Sequence, residues 1–82
     1  MSKLDGKVAL ITGAGQGIGR GIALALAKEG VRIAAAGRTE SKVISTAEAI
    51  EELGGKALAV RCDVSNPDDV DAAVQRTVEH FR

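Results

Sequence analysis

The 82-residue chain has no tryptophan, no tyrosine and one phenylalanine, Phe81. Without aromatic platforms it cannot stack the bases of a single-stranded nucleic acid. Its one cysteine, Cys62, cannot close an internal disulfide or build a thiolate metal centre, and its apolar flank "ALAVRC" marks it as a buried strand thiol. Eleven basic residues balance eleven acidic ones, so neither nucleic acid nor an anionic membrane finds a matching field. No apolar stretch approaches the roughly 18 residues of a membrane span, and "MSKLDGK" is not a charged-then-apolar leader. A cytoplasmic protein is expected. The length allows one small domain, burying roughly two thirds of the surface its unfolded form exposes.

What the chain does have is glycine, ten residues of it, placed between periodic segments. "KVALIT" (7–12) has the length and continuity of a strand buried on both faces. Ile18, Ile22, Ala25, Leu26 and Glu29 then recur at helical spacing, and Gly30 stands where a left-handed residue closes the helix. "VRIAAAG" reads as a second strand. "ESKVISTAEAIEEL" is helical, with Val43, Ala47, Ile50 and Leu53 on one stripe, and ends at Gly54-Gly55. "KALAVRC" is a third strand. Asn66 reads as an N-cap, Pro67 as the first helical residue and Asp69 as the acidic partner of the first turn. The stripe of that last helix is Val70, Ala73, Val74, Val78 and Phe81.

Strand then helix, three times over, is the pattern of a parallel sheet with right-handed crossovers. The predicted fold class is α/β, the N-terminal half of a Rossmann-type doubly wound parallel sheet, β-α-β-α-β-α. In its common strand order, 3-2-1-4-5-6, the third strand is at an edge. Arg61 suits that place. If the chain stops at Arg82, the first strand lacks one neighbour and offers an apolar edge.

Five glycines fall between Gly13 and Gly21. No frame of them gives G-x-G-x-x-G. "TGAGQGIG" instead reads Thr-Gly-x-x-x-Gly-x-Gly, with Gly13, Gly17 and Gly19 in the fixed places between a strand and a helix. Gly13 permits a sharp turn off the strand. Bare backbone at Gly17 and Gly19 lets phosphate oxygens and the sheet approach a helix start whose N–H groups lack partners. That chemistry suits a pyrophosphate. A Walker A loop is excluded, because no Gly-Lys-Ser or Gly-Lys-Thr follows.

From "LDGKVALITGAGQGIGRGIA" through "GRTE" to "CDVSNPDDV" the chain resembles the N-terminal third of short-chain dehydrogenases/reductases, single Rossmann-type domains of about 250 residues. The resemblance implies that residues 1–82 are a piece of one such domain. It implies that Gly13, Gly15 and Gln16 line the adenosine side of a nicotinamide dinucleotide, with Gly17 and Gly19 towards the pyrophosphate and Ile18 near the pyrophosphate and nicotinamide end. Asp63 and Val64 would hold the adenine, the carboxylate accepting from the exocyclic amine. A turn-capping carboxylate is the alternative for Asp63. The resemblance further implies a small carbonyl or alcohol substrate, a 3-oxoacyl thioester or small ketone among them, and a homo-oligomeric full-length protein, dimer or tetramer.

An NAD-preferring site places Asp or Glu at the end of the second strand, about 20 residues past the glycines, on the ribose 2′-OH. Here that residue is Gly37, and Arg38 follows. Losing the acid removes repulsion against a 2′-phosphate that a guanidinium can grip. NADP is therefore the expected cofactor, with NAD as the alternative; Arg38 could instead be an exposed arginine opening a helix, and Glu40 either reaches the ribose or is an acid of the first helical turn. Arg20 either approaches a phosphate or points to water, and His80 is structural or solvated. Family chemistry uses a tyrosine, a lysine four residues on, a serine and an asparagine. This chain has no tyrosine, so no catalytic residue is assigned, no metal site is expected, and the 82 residues alone should show no turnover. Two readings stand: the cofactor-binding part of an oxidoreductase, or a nucleotide-binding module without chemistry.

Overall fold

The computed structural model describes residues 4–82. Three strands and three helices alternate: β1 (Val8–Ile11), α1 (Gly17–Lys28), β2 (Arg32–Gly37), α2 (Glu40–Glu52), β3 (Ala57–Arg61) and α3 (Pro67–Phe81). The strands form one parallel sheet in the order β1-β2-β3. Val8 pairs with Arg32 and Ile11 with Ala35. Across the other side of β2, Ile33 pairs with Ala57 and Gly37 with Arg61. This is the half of a doubly wound sheet that the alternation predicts, with β3 and its exposed Arg61 at an edge.

Strand side chains alternate between two faces with period two. Ala9, Ile11, Ile33, Ala35, Ala57 and Ala59 pack with Ala23 and Ala27 of α1 and Val43 and Ile50 of α2. Leu10, Ala36, Leu58 and Val60 meet Val70 and Ala73 of α3 on the opposite face. Five of the six residues of β2 carry no side chain larger than isoleucine or are glycine, and Ile33 through Ala36 are fully buried. So small a lining lets the helices seat close to the sheet.

That close seating decides which helical faces go inward, and it corrects three expectations. On α1 the buried residues are Ala23 and Ala27, while Ile18 is 84% and Ile22 48% exposed. The small side chains, not the large ones, take the tight interface. On α3, Ala73, Thr77 and Phe81 are buried and Val74 and Val78 are exposed; on α2, Leu53 is exposed. β1, read as buried on both faces, is only half-covered and Val8 is exposed, because among the described residues it pairs with β2 alone.

The helix ends follow the predicted chemistry. Gly30 and Gly54 close α1 and α2, each at φ +87°. Asn66 caps α3, its side chain accepting from the Asp68 N–H at 3.0 Å, with Pro67 in the first turn. Asp69 departs from its expected part. The Asn66 N–H already donates to the Asp63 carbonyl at 3.0 Å, so Asp69 turns away, accepts from the Asp63 N–H at 3.1 Å and stands 3.6 Å from the Arg61 guanidinium. It thus ties the start of α3 to the end of β3.

Candidate functional site

The carboxyl ends of β1, β2 and β3 open onto one cleft of about 560 Å³. Such strand ends are where open α/β sheets take ligands. The first wall is the loop from Gly13 to Gln16. Gly13 leaves β1 at φ +65°, and Gly17 enters α1 at φ +59°, a backbone region costly for residues with a Cβ. Gly19 is required for a different reason. A Cβ there would lie 2.1 Å from the Gly13 carbonyl oxygen, so the first turn of α1 and the turn off β1 are in direct backbone contact.

The loop is pinned from both sides at buried Ala14. Its N–H donates to the Ala36 carbonyl at 3.0 Å, which holds it to the end of β2. Its carbonyl accepts from Thr46 Oγ1 at 2.8 Å. Thr46, fully buried on α2, also shares that proton with the Lys42 carbonyl at 3.2 Å and accepts from Arg20 Nη1 at 2.9 Å. Arg20 thus braces α1 against α2 through one of its donors. Meanwhile α1 begins with no side-chain cap on Gln16 and no acidic residue in its first turn. Its leading N–H groups and the positive end of the helix dipole are left for an anion.

Gly37, Arg38 and Thr39 form the second wall, with Lys42 and Val43 of α2. Among the described residues no carboxylate pairs with Arg38 or Lys42. The third wall is Arg61, Cys62, Asp63 and Val64. Asp63 Oδ1 accepts from the Ser65 hydroxyl at 2.7 Å and the Ser65 N–H at 3.0 Å. These two bonds, assisted by Arg38 and Arg61, hold its carboxyl below the usual carboxylate range. One oxygen thus does the turn-capping work and the group stays ionised. Cys62 is buried, and burial, reinforced by Asp69 and Asp63, pushes its thiol up. Such a thiol is not a nucleophile.

Of the residues singled out from sequence, Gly13, Gly15, Gln16, Arg38, Asp63 and Val64 share this cleft. Gly17, Ile18 and Gly19 lie beside it in the first turn of α1, and Ile18 is among the most exposed apolar residues. Lys42 and Thr46 were missed. Both sit on the helical period of α2 with Arg38 just before it, and Thr46 interrupts an apolar stripe with a hydroxyl, a signal that a buried acceptor faces it. His80 lies apart, its ring edge-on to Phe81 at 4.7 Å.

A sequence-family model described as short chain dehydrogenase matches residues 7–82. The chain belongs to the short chain dehydrogenase family. A 3beta-hydroxysteroid dehydrogenase of Mediterraneibacter gnavus is 43% identical over 81 residues, covering 99% of this chain and 29% of the relative. A short chain dehydrogenase/reductase from Burkholderia phymatum, solved in complex with NAD, superposes with a TM-score of 0.92 at 38% identity over 99% of this chain and 29% of that one. A 3-ketoacyl-ACP reductase from Sinorhizobium meliloti gives a TM-score of 0.88 at 50% identity, over 90% of this chain and 29% of that one. The short chain dehydrogenase sequence here thus spans under a third of the length of these relatives. Among the described residues, no helix is long and apolar enough to cross a membrane.

The cleft fits a nicotinamide dinucleotide. Gly13 and Gly15 have no side chains where a diphosphate needs backbone N–H groups, Arg38 and Lys42 on the second wall form no salt bridge among the described residues, and Val64 offers an exposed apolar flank.

Proposed function

We propose that the full-length protein carrying this sequence is an NADP(H)-dependent oxidoreductase acting on a carbonyl or alcohol substrate, of the kind that reduces 3-oxoacyl thioesters or small ketones. The observation that carries the cofactor preference is the end of β2. Gly37 stands where an acid would hold a ribose 2′-OH, and the cations beside it, Arg38 and Lys42, have no carboxylate partner among the described residues. A guanidinium there binds a phosphate monoester through parallel hydrogen bonds.

The bound nicotinamide supplies the hydride, or accepts it. The residues of this chain hold the other end of the cofactor: Gly13, Gly15 and Gln16 as a backbone wall, Gly17, Ile18 and Gly19 at the helix start, and Asp63 and Val64 at the adenine. Asp63 can cap its turn through Oδ1 and still offer a second carboxylate oxygen to an amine. The 3-ketoacyl-ACP reductase likeness supports the substrate class. An NAD-dependent alcohol dehydrogenase is the second reading, favoured by the NAD complex of the Burkholderia phymatum protein.

Calorimetric dissociation constants for NADP⁺ and NAD⁺ on the full-length protein discriminate between them. Tighter binding of NADP⁺ is expected, and tighter binding of NAD⁺ would overturn the preference. NADPH oxidation dependent on a 3-oxoacyl thioester or a ketone is the matching test of activity.

A further inference from the structure

Lys42 is the third residue of α2, in its first turn, and is exposed at the cleft between the glycine loop and Arg38. Helix and loop approach so closely here that a Cβ on Gly15 would come within 2.8 Å of Lys42 Cβ. Lys42 Nζ donates to Gln16 Oε1 across the solvent-exposed mouth of the cleft. An ammonium has three donors. One goes to Gln16, and no carboxylate among the described residues takes the others.

The charge balance points the same way. A phosphate monoester carries about 1.5 to 2 negative charges near neutral pH. Arg38 supplies one compensating charge, part of it already offset by the Asp63 carboxylate of the same cleft. Arg61 lines the same cleft but faces the Asp69 carboxylate at 3.6 Å, so part of its charge is spent. Lys42 is the remaining cation of the cleft without an acidic partner.

Resting on the NADP reading above, we propose that Lys42 is a specificity-determining residue for the 2′-phosphate. It acts as a second cation beside Arg38 and is held in place by the side chain of Gln16. A lysine suits this post because it contributes a point charge that can turn from an amide oxygen to a phosphate without a fixed plane. Gln16 then has a second part: besides lining the loop, it keeps the ammonium near the cleft before the ligand arrives, which reduces the ordering cost of binding.

The test is calorimetric titration of NADP⁺ and NAD⁺ into the full-length protein and its Lys42→Gln, Lys42→Arg and Arg38→Gln variants at one fixed ionic strength. The reading is the ratio of the NAD⁺ to the NADP⁺ dissociation constant. Loss of one charge-assisted bond predicts that K42Q lowers this ratio by about tenfold. K42R restores most of it, and K42Q with R38Q brings it near one. If K42Q weakens both dinucleotides by the same factor, Lys42 only braces the loop through Gln16 and the proposal fails. It fails equally if K42Q changes neither affinity while R38Q lowers the ratio. These results leave the NADP reading intact. A parent protein that binds NAD⁺ the more tightly removes that reading and this proposal together, a pattern distinct from both.

Discussion

Gly19→Ala and Gly21→Ala form a matched pair that isolates what the glycine loop is for. Both residues lie in α1, two positions apart. In isolation each change favours the helix by up to about 1 kcal/mol, since alanine loses less backbone entropy. Around Gly21 nothing among the described residues lies within 4 Å of the new Cβ, so that gain should survive. At Gly19 the new Cβ would stand 2.1 Å from the Gly13 oxygen, 2.6 Å from the Gly13 carbonyl carbon and 3.2 Å from Ala14 Cα. All three are backbone atoms. Relief needs a shift of about 1 Å or more before the contact becomes tolerable. The loop resists it, because Ala14 is bonded through its N–H to Ala36 and through its carbonyl to Thr46. Overpacking of this kind costs about 1–3 kcal/mol, which outweighs the propensity gain. The propensity gain is common to both variants, so they should differ by the overpacking cost, about 1–3 kcal/mol in urea unfolding, with G21A above G19A. Because Gly13 is what must move, G19A should also lose dinucleotide affinity by calorimetry. Equal midpoints for the two variants would refute the claim that loop and helix are locked backbone to backbone.

Two further outcomes follow from the same geometry. Thr46→Val keeps the shape of the side chain but strands the Ala14 carbonyl and an Arg20 donor; a loss of about 1–3 kcal/mol in urea unfolding is expected, with Thr46→Ser close to the parent, and a T46V midpoint equal to the parent's would show the hydroxyl to be idle. Asp63 has its folded pKa lowered, chiefly by the Ser65 hydroxyl, so its ionic contribution is fully present above the unfolded value of about 3.9. It disappears as pH falls through the lower folded value. The stability gap between parent and Asp63→Asn, measured by urea midpoints across the acid range, should narrow on acidification; a gap independent of pH would count against the Ser65 turn as a charged contact.

Much of this site was legible before any coordinates. The Thr-Gly-x-x-x-Gly-x-Gly spacing, the strand before it and the helix after it are local features, and each glycine there answers a local demand of backbone conformation or approach. The Asn66-Pro67 cap is local too. Less legible was the direction in which the helices face. Ile18 and Ile22 form a convincing apolar stripe, yet the alanine-lined sheet admits Ala23 and Ala27 instead. Periodicity reports which residues share a face, not which face finds a partner narrow enough to exclude the larger side chains.

The amino-acid order by itself determined the succession of strands and helices, the turn chemistry and the glycine pattern leading into α1, since all of these arise from interactions within a few positions of each other. Only the tertiary structure decided that α2 closes over the glycine loop. The Thr46 bond to Ala14 spans 32 positions and the Lys42 bond to Gln16 spans 26. Contacts of that range exist only once the parallel sheet sets β1 beside β2 and thereby brings α2 alongside the loop, a placement that no local preference encodes.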